Sequence, residues 1–363
     1  MRRFALLATV VMTLAVSAGT SSATSQTTAQ FQPSQVALAS AGGEIFVLGY
    51  KNCTVGSCSG PELWVGTGSS FVQRTVPPGT SPDYLSELVF ANALDGYVLN
   101  QSSIYATTNG GASWAHASFA SHTVVSGLAS SDGWFYAATA RCVTRGEAAT
   151  CDDYRLERSL AGSATWSSVP IPSTNELSGL AYMGVTAWGR VVTVSVPGPR
   201  EGETLLRSEG GLAPLRVAGR SDWTSTTGAC ELTATSYSSM WELCFTGMQE
   251  AWLYSNDEGG HFRRFWWPFQ TAGTDFDAVS NDVAYRYTGP VSTPRPSELE
   301  LTTNGGASFT PIAHLPFASE MTFLNIRHGY LIGSTTAKAS NGGLLQTFDG
   351  GHSWTEVVFE SAT

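Results

Sequence analysis

The chain has 363 residues, of which only 13% are charged, and it contains 38 glycines and 11 tryptophans. Few charges together with abundant glycine and aromatic residues are typical of many short strands joined by tight turns. The formal net charge of −10 at pH 7 argues against nucleic acid or an anionic membrane surface as a partner.

Residues 1–23 carry the features of a secretory signal. Two arginines precede an apolar run that begins at Phe4, and small residues follow up to Ala23. The run is shorter than the roughly 20 residues that span a bilayer, so it predicts export without membrane insertion. We therefore expect a secreted or extracytoplasmic protein in which residues 24–34 form a flexible segment and residues 35–363 form one domain.

The six cysteines form three couples that are close in sequence, and each couple brackets one turn or hairpin. The couples are Cys53 with Cys58, Cys142 with Cys151, and Cys230 with Cys244. An exported protein permits oxidation, so we expect disulfides, although six cysteines allow 15 pairings. Cys230 and Cys244 are equidistant from Tyr237, as cross-strand partners of an antiparallel hairpin would be. Without a CxxC spacing or a nearby histidine, we expect no metal site and no cofactor.

A turn sequence with two glycines and a closing aromatic residue recurs along the chain. The clear copies are Thr107–Trp114, Ser255–Phe262, Thr302–Phe309 and Thr347–Trp354. Weaker copies close at Phe71 and Trp166, and a decayed one lies near Gly211. Together they give seven repeats of about 47 residues, and a fixed period of this length indicates a repeat architecture.

A second motif runs in phase with the first, because Phe90–Tyr97 matches Phe323–Tyr330 at its Phe, Asn, Gly and Tyr positions. Each repeat then reads as four short strands. In the second repeat these strands are Glu87–Asn92, Gly96–Gln101, Ser103–Thr108 and Trp114–Phe119. A four-stranded unit repeated seven times predicts an all-β, seven-bladed β-propeller with four antiparallel strands per blade.

The repeated turn has a structural explanation at each of its defining positions. The Asn or Asp side chain can hold the turn by bonding backbone amides, the glycine reaches strained backbone angles, and the aromatic ring fills the gap between sheets. Each turn offers one carboxylate or amide, so we expect these residues to be structural. They are Asn109, Gly111, Trp114, Asp257, Gly259, Phe262, Asn304, Gly306, Phe309, Asp349, Gly351 and Trp354.

These motifs resemble known families. The repeated turn resembles the Asp-box of the bacterial neuraminidase repeat, which is found on the sialidase-superfamily fold. Combined with the Phe90–Tyr97 motif, it looks like the photosystem II stability/assembly factor-like family of exported seven-bladed propellers. The resemblance implies the propeller fold, and the assembly factors imply a protein partner. Such repeats occur in hydrolases, assembly factors and binding proteins alike, so the resemblance does not select a function.

Propeller topology assigns the loops to two faces. The turns within strand pairs one–two and three–four share one face, and the remaining loops share the other, which we call the long-loop face. The longer segments 51–61, 141–155, 197–203, 286–297 and 335–342 belong to the long-loop face. Because function concentrates in variable loops on a rigid scaffold, we predict ligand binding there. The candidates are Arg141, Arg145, Asp152, Arg155, Arg200, Arg286, Tyr287 and Arg295. The alternative is that charges simply gather where loops meet water.

The catalytic patterns of related folds cannot be assigned. A sialidase needs three arginines, a Tyr–Glu pair and an acid, and none of the six histidines lies beside a Gly-x-Ser-x-Gly elbow. We expect a monomeric, non-catalytic binding or assembly module for a protein or glycan. The alternatives are a sialidase-like glycoside hydrolase and a carbohydrate-binding lectin. Trp266 and Trp267 bear on the lectin alternative, because an exposed indole could stack on sugar whereas a buried pair would belong to the core.

Overall fold

The computed structural model describes most of the chain. It covers residues 31–38, 43–54, 57–68, 70–80, 86–100, 103–119, 123–145, 148–172, 183–197, 203–210, 213–221, 230–246, 249–266, 275–289, 297–335 and 342–359. For residues 34–38, 52–59, 86, 144–150, 197, 245–250 and 266, at most the backbone is described. The predicted signal at residues 1–23 lies outside the described residues.

The regular structure of the described residues consists of 28 β-strands in chain order. Blades 1 and 2 contain β1 (Phe31–Leu38), β2 (Ile45–Thr54), β3 (Ser57–Thr67), β4 (Ser70–Arg74), β5 (Ser86–Phe90), β6 (Gly96–Asn100), β7 (Ser103–Thr107) and β8 (Ala115–Ala117). Blades 3 and 4 contain β9 (Thr123–Ser131), β10 (Trp134–Arg145), β11 (Ala148–Leu160), β12 (Ser167–Pro170), β13 (Gly184–Trp188), β14 (Val191–Pro197), β15 (Glu203–Ser208) and β16 (Arg216–Ser221).

The last three blades follow the same plan. Blades 5 and 6 contain β17 (Cys230–Ala234), β18 (Met240–Thr246), β19 (Gln249–Ser255), β20 (Arg263–Trp266), β21 (Asp275–Ala278), β22 (Ala284–Thr288), β23 (Glu298–Thr302) and β24 (Thr310–His314). Blade 7 contains β25 (Phe317–Phe323), β26 (Gly329–Ser334), β27 (Gly343–Thr347) and β28 (Thr355–Glu356).

The seven sheets form a closed ring. Each sheet has four antiparallel strands in sequential order, so every blade is one continuous stretch of chain. First strands contact each other between blades 1 to 5 and between blades 6 and 7, Trp241 of blade 5 packs against Phe276 of blade 6, and β25 of blade 7 contacts β1 of blade 1. The predicted seven-bladed β-propeller is therefore confirmed. Its first strand begins at Phe31, four residues before the predicted start of the domain.

In the four repeated turns, a buried hydroxyl holds the loop together. In blade 2, the Thr107 hydroxyl accepts a hydrogen bond from the Gly111 amide at 2.9 Å, and Asn109 Oδ1 accepts one from the Ser113 amide at 2.9 Å. Glycine is needed at position 111 because its φ of 79° is a backbone conformation that strains residues with a side chain. The Gly110 amide also bonds the Leu94 carbonyl at 2.8 Å, which ties this turn to the strand one–two turn on the same face.

In the second sequence motif, the phenylalanine ring lies directly against the backbone of the glycine. A Cβ at Gly96 would lie 2.3 Å from the Phe90 ring, and the corresponding distance from Gly329 to the Phe323 ring is 2.4 Å. Glycine is therefore required for the ring to lie across the strand. The neighbouring Tyr97 packs edge-on against Phe135 of the next blade, with centroids 4.6 Å apart. The motif thus shapes one blade and joins it to its neighbour.

Two segments predicted as long loops fold largely as strand hairpins. Segment 51–61 extends β2 and β3, and segment 141–155 extends β10 and β11, where Cys142 lies directly opposite Cys151. The prediction was wrong here because cross-strand pairing continues beyond the length expected for a blade strand.

Two of the three expected disulfides are present, Cys142–Cys151 and Cys230–Cys244. The Cys230–Cys244 bridge joins directly opposed residues, as predicted. The side chains of Cys53 and Cys58 lie outside the described part of the chain. Two disulfides hint at an oxidising compartment. Among the described residues, none belongs to a helix with the length and apolarity needed to cross a membrane.

Candidate functional site

A cleft of about 370 Å³ opens on blade 3 beside the end of blade 2. We call it the blade-3 cleft. It is lined by Phe119, Thr123, Thr139, Ala140, Arg141, Asp153, Arg155, Glu157 and Ser168. All four strands of blade 3 contribute, and the Cys142–Cys151 bridge is next to Arg141 on β10. A volume in this range accommodates a small ligand or a few residues of a polypeptide.

A β-bulge shapes the wall of the cleft. The register between β10 and β11 shifts between Thr139 and Arg141, so Arg141 lies opposite Asp152 while Thr139 lies opposite Arg155. Asp153, inside this irregularity, has a φ of 48°, in the left-handed region that few non-glycine residues occupy. Bulges redirect side chains and are common beside binding sites. Here the bulge lets residues of both strands face one opening.

The two arginines of the cleft have different surroundings. Arg155 Nε donates to Asp153 Oδ1 at 3.0 Å, and its Nη1 donates to Ser168 Oγ at 3.0 Å. These bonds fix the plane of its guanidinium. Arg141 is exposed and forms no ion pair with any residue that the structure describes. Its guanidinium is available for an external carboxylate, which arginine recognises through two parallel hydrogen bonds.

Acidic groups complete the cleft. Glu157 is half-buried, and this burial raises the pKa of its carboxyl, while the charge of Arg155 opposes the rise. The Asp153 carboxylate adds to the increase. The cleft therefore presents both signs of charge within one opening.

The structure places only some of the predicted ligand-binding residues at the cleft. Arg141 and Arg155 line the cleft, and Asp152 is exposed on β11 opposite Arg141. Arg200 and Arg295 lie outside the described residues, as does the side chain of Arg145. The same holds for Trp267 and for the side chain of Trp266, the two residues that bear on a sugar platform.

Arg286 and Tyr287 are not on a ligand-accessible surface. Both are 2% exposed, because β22 continues to Thr288 where a loop was expected. Arg286 Nε donates to Glu300 Oε2 at 2.5 Å, and its guanidinium lies 3.8 Å from the centroid of the Phe309 ring. Their assignment to a binding face is corrected on this ground, since both side chains belong to the interior of blade 6.

Sequence reasoning missed several lining residues. Asp153 and Glu157 alternate with arginines along β11, which was a usable signal. No sequence signal placed Ser168 or Phe119 in the cleft, because Ser168 belongs to the outer strand of blade 3 and Phe119 to the preceding blade. The described cleft supplies two arginines, whereas the sialidase resemblance calls for three.

In the repeated turns, the acidic groups are held as hydrogen-bond acceptors. Hydrogen bonds from the Ser353 hydroxyl, the Ser353 amide and the Thr347 hydroxyl lower the pKa of Asp349 to about 2. A carboxylate held ionised by three donors is poorly suited to donating a proton in catalysis.

No protein-family model matches the chain, and neither does any curated protein sequence. Solved structures do match. One is described as YCF48 bound to D1 peptide; it is 11% identical, with a TM-score of 0.50, and the match covers 77% of this chain and 82% of that one. At this identity the similarity establishes the fold alone.

Two peptidases also match. A structure from a study of two prolyl endopeptidases is 10% identical with a TM-score of 0.56, and the match covers 90% of this chain and 49% of that one. A puromycin-hydrolyzing peptidase of Mycobacterium tuberculosis is 7% identical with a TM-score of 0.55, covering 92% and 54%. This chain spans about half the length of either peptidase, so it matches only part of each.

Proposed function

We propose that this chain is an extracytoplasmic, non-catalytic module that binds a polypeptide segment of a partner protein in the blade-3 cleft. The observation that carries the proposal is the pair of arginines at one opening, with Arg155 fixed by Asp153 and Ser168 while Arg141 remains exposed. A fixed guanidinium beside an available one favours a ligand that carries a carboxylate.

The surroundings of these arginines support a polypeptide over other ligands. Glu157 can receive a basic side chain in the same cleft in which Arg141 would hold an acidic one. The apolar ring of Phe119 provides contact area at the edge of the cleft. The structural neighbour YCF48, described with a bound peptide, gives independent support for peptide binding by a ring of this kind.

The predicted export signal and the two disulfides support an extracytoplasmic location, where reduced thiols are not maintained. An oxidised Cys142–Cys151 bridge would hold the hairpin on which Arg141 lies. Alkylation of the protein secreted by its host, before and after reduction, tests this point. Unmodified cysteines after alkylation without reductant would agree with it, and full modification would contradict it.

Peptide selection tests the binding proposal. Immobilised chain lacking residues 1–23 is used to select from a displayed random peptide library, and the affinity of the recovered peptides is measured by calorimetry. We expect Arg141→Glu to weaken binding by about tenfold or more, because it places a like charge opposite the ligand carboxylate. Arg327→Glu, at an exposed arginine of blade 7, serves as the matched control and should leave the affinity unchanged.

The alternatives predict different results in parallel assays. A lectin would bind defined glycans on an array while recovering no peptide, and its binding would survive Arg141→Glu. A sialidase-like hydrolase would cleave a sialic-acid glycoside that carries a fluorescent leaving group, and the released fluorescence would measure this activity. Either result would overturn the proposal, as would peptides whose affinity is insensitive to Arg141→Glu.

A further inference from the structure

Two carboxyl groups meet in the interior between blades 4 and 5. Glu203 begins β15 and Glu242 lies in the middle of β18, and the two side chains are 6% and 0% exposed. Their carboxyl groups lie close enough for the two charges to interact. Neither residue belongs to the blade-3 cleft or to a repeated turn.

The surroundings of the pair are oxygen-rich. The Ser195 hydroxyl of β14 and the Ser221 hydroxyl of β16 face it, and the Cys230 amide lies beside Glu203. Even so, Glu203 Oε2 and both carboxylate oxygens of Glu242 have no hydrogen-bond partner among the described residues. Among those residues, no lysine, arginine or histidine forms an ion pair with either glutamate.

Such an arrangement is costly unless something compensates it. Burying a carboxylate without a partner costs several kcal/mol, and two adjacent carboxylates also repel each other. A positive ion between them would compensate both effects. The two carboxyl groups and the two hydroxyls offer six oxygens, which is the lower end of the six to eight that calcium takes.

We propose that Glu203 and Glu242, with Ser195 and Ser221, form a binding site for a calcium ion that joins blade 4 to blade 5. Oxygen-only ligands favour a hard cation over zinc, and the sulfurs of Cys230 and Cys244 are committed to their disulfide. Calcium fits better than magnesium, because magnesium retains several waters and demands near-ideal octahedral geometry that a buried carboxylate pair does not supply.

Calcium titration tests the site. Chain lacking residues 1–23 is stripped with a chelator, and binding of calcium chloride is measured by calorimetry, with magnesium chloride as a parallel titrant. We expect one calcium ion per chain, a higher thermal midpoint in calcium, and a much weaker response to magnesium. Glu242→Gln should reduce the calcium affinity by about tenfold or more, because it removes a charged ligand.

Glu87→Gln is the matched control. Glu87 is a half-buried glutamate on β5 of blade 2, so its replacement by glutamine removes a partly buried carboxylate without touching the pair. Its calcium affinity should equal that of the unmodified chain. If Glu242→Gln does not fold, Ser221→Ala tests the site without changing its charge and should also weaken calcium binding.

Three results would overturn the proposal. They are absence of calcium binding by the unmodified chain, calcium binding that survives Glu242→Gln and Ser221→Ala in folded protein, and an equal loss of binding in Glu87→Gln. The first would mean that protons alone neutralise the pair. The other two would place the cation elsewhere. Peptide binding in the blade-3 cleft does not depend on any of these outcomes.

Discussion

Replacing Thr302 by valine tests whether the repeated turns are held by their buried hydroxyl. Thr302 is 1% exposed, and its hydroxyl donates to Asn304 Oδ1 at 2.9 Å and accepts from the Gly306 amide at 3.0 Å. Valine has nearly the same shape but lacks the hydroxyl. The substitution therefore leaves the buried Gly306 N–H without its partner and creates no cavity.

The cost follows from that lost partner. A buried amide without a hydrogen-bond acceptor costs ~1–3 kcal/mol, and loss of the bond to Asn304 adds less because that side chain is exposed. We expect Thr302→Val to lower the free energy of unfolding by about 2 kcal/mol. For a domain of this size, each kcal/mol lowers the thermal midpoint by roughly 2–4 °C at most.

Calorimetry and denaturant unfolding measure the effect. Thr310→Val, at an exposed threonine that begins β24, is the control because it makes the same chemical change without losing a buried bond. Its stability should match that of the unmodified chain within about 0.5 kcal/mol. If Thr302→Val were as stable as this control, the hydroxyl would not be holding the turn.

Three other perturbations probe the packing of Gly96, the Cys142–Cys151 bridge and the half-buried carboxyl of Asp277. Gly96→Ala should destabilise the chain by ~1–3 kcal/mol in denaturant unfolding, because its Cβ would lie 2.3 Å from the Phe90 ring; unchanged stability would mean that the ring moves freely. Replacing Cys142 and Cys151 by alanine should lower the free energy of unfolding by roughly 2–3 kcal/mol and weaken peptide binding, since the bridge closes a short loop that positions Arg141. Unchanged stability together with unchanged peptide affinity would contradict this. Burial raises the pKa of Asp277 to about 7, so the folded state keeps a proton that the unfolded state releases near pH 4. Stability should therefore fall as the pH rises from about 4 to about 7, and the thermal midpoint at about pH 5 should exceed that at about pH 7.5. Asp277→Asn should reduce the difference between the thermal midpoints at these two pH values. If the difference did not change, another group would be responsible for it.

The propeller was predictable because its signals are local and repeated. The four turn sequences, each with a hydroxyl, an Asn or Asp and two glycines, mark the same place in successive blades. The Phe90–Tyr97 motif then fixes the second strand of its blade. In blade 2, all four observed strands overlap the predicted ones, although β8 is shorter than expected.

The candidate site was only partly predictable, because it depends on where strands stop pairing. Arg141 and Arg155 were identified by their charge and their position on either side of the Cys142–Cys151 couple. Arg286 has the same local chemistry, yet it is buried against Glu300, and only the tertiary structure separates these cases. The Glu203–Glu242 pair lay beyond sequence reasoning, because its members come from different blades.

Hydrogen–deuterium exchange on the complex with a selected peptide tests the proposed function most directly. The account predicts slower exchange in segments 139–143 and 153–157, which contain six of the residues that line the blade-3 cleft, and no change in the repeated turns. Arg141→Glu should abolish this protection at the same peptide concentration, whereas Arg327→Glu should preserve it. Protection confined to the turn face or to another blade would contradict the assignment of the cleft as the binding site.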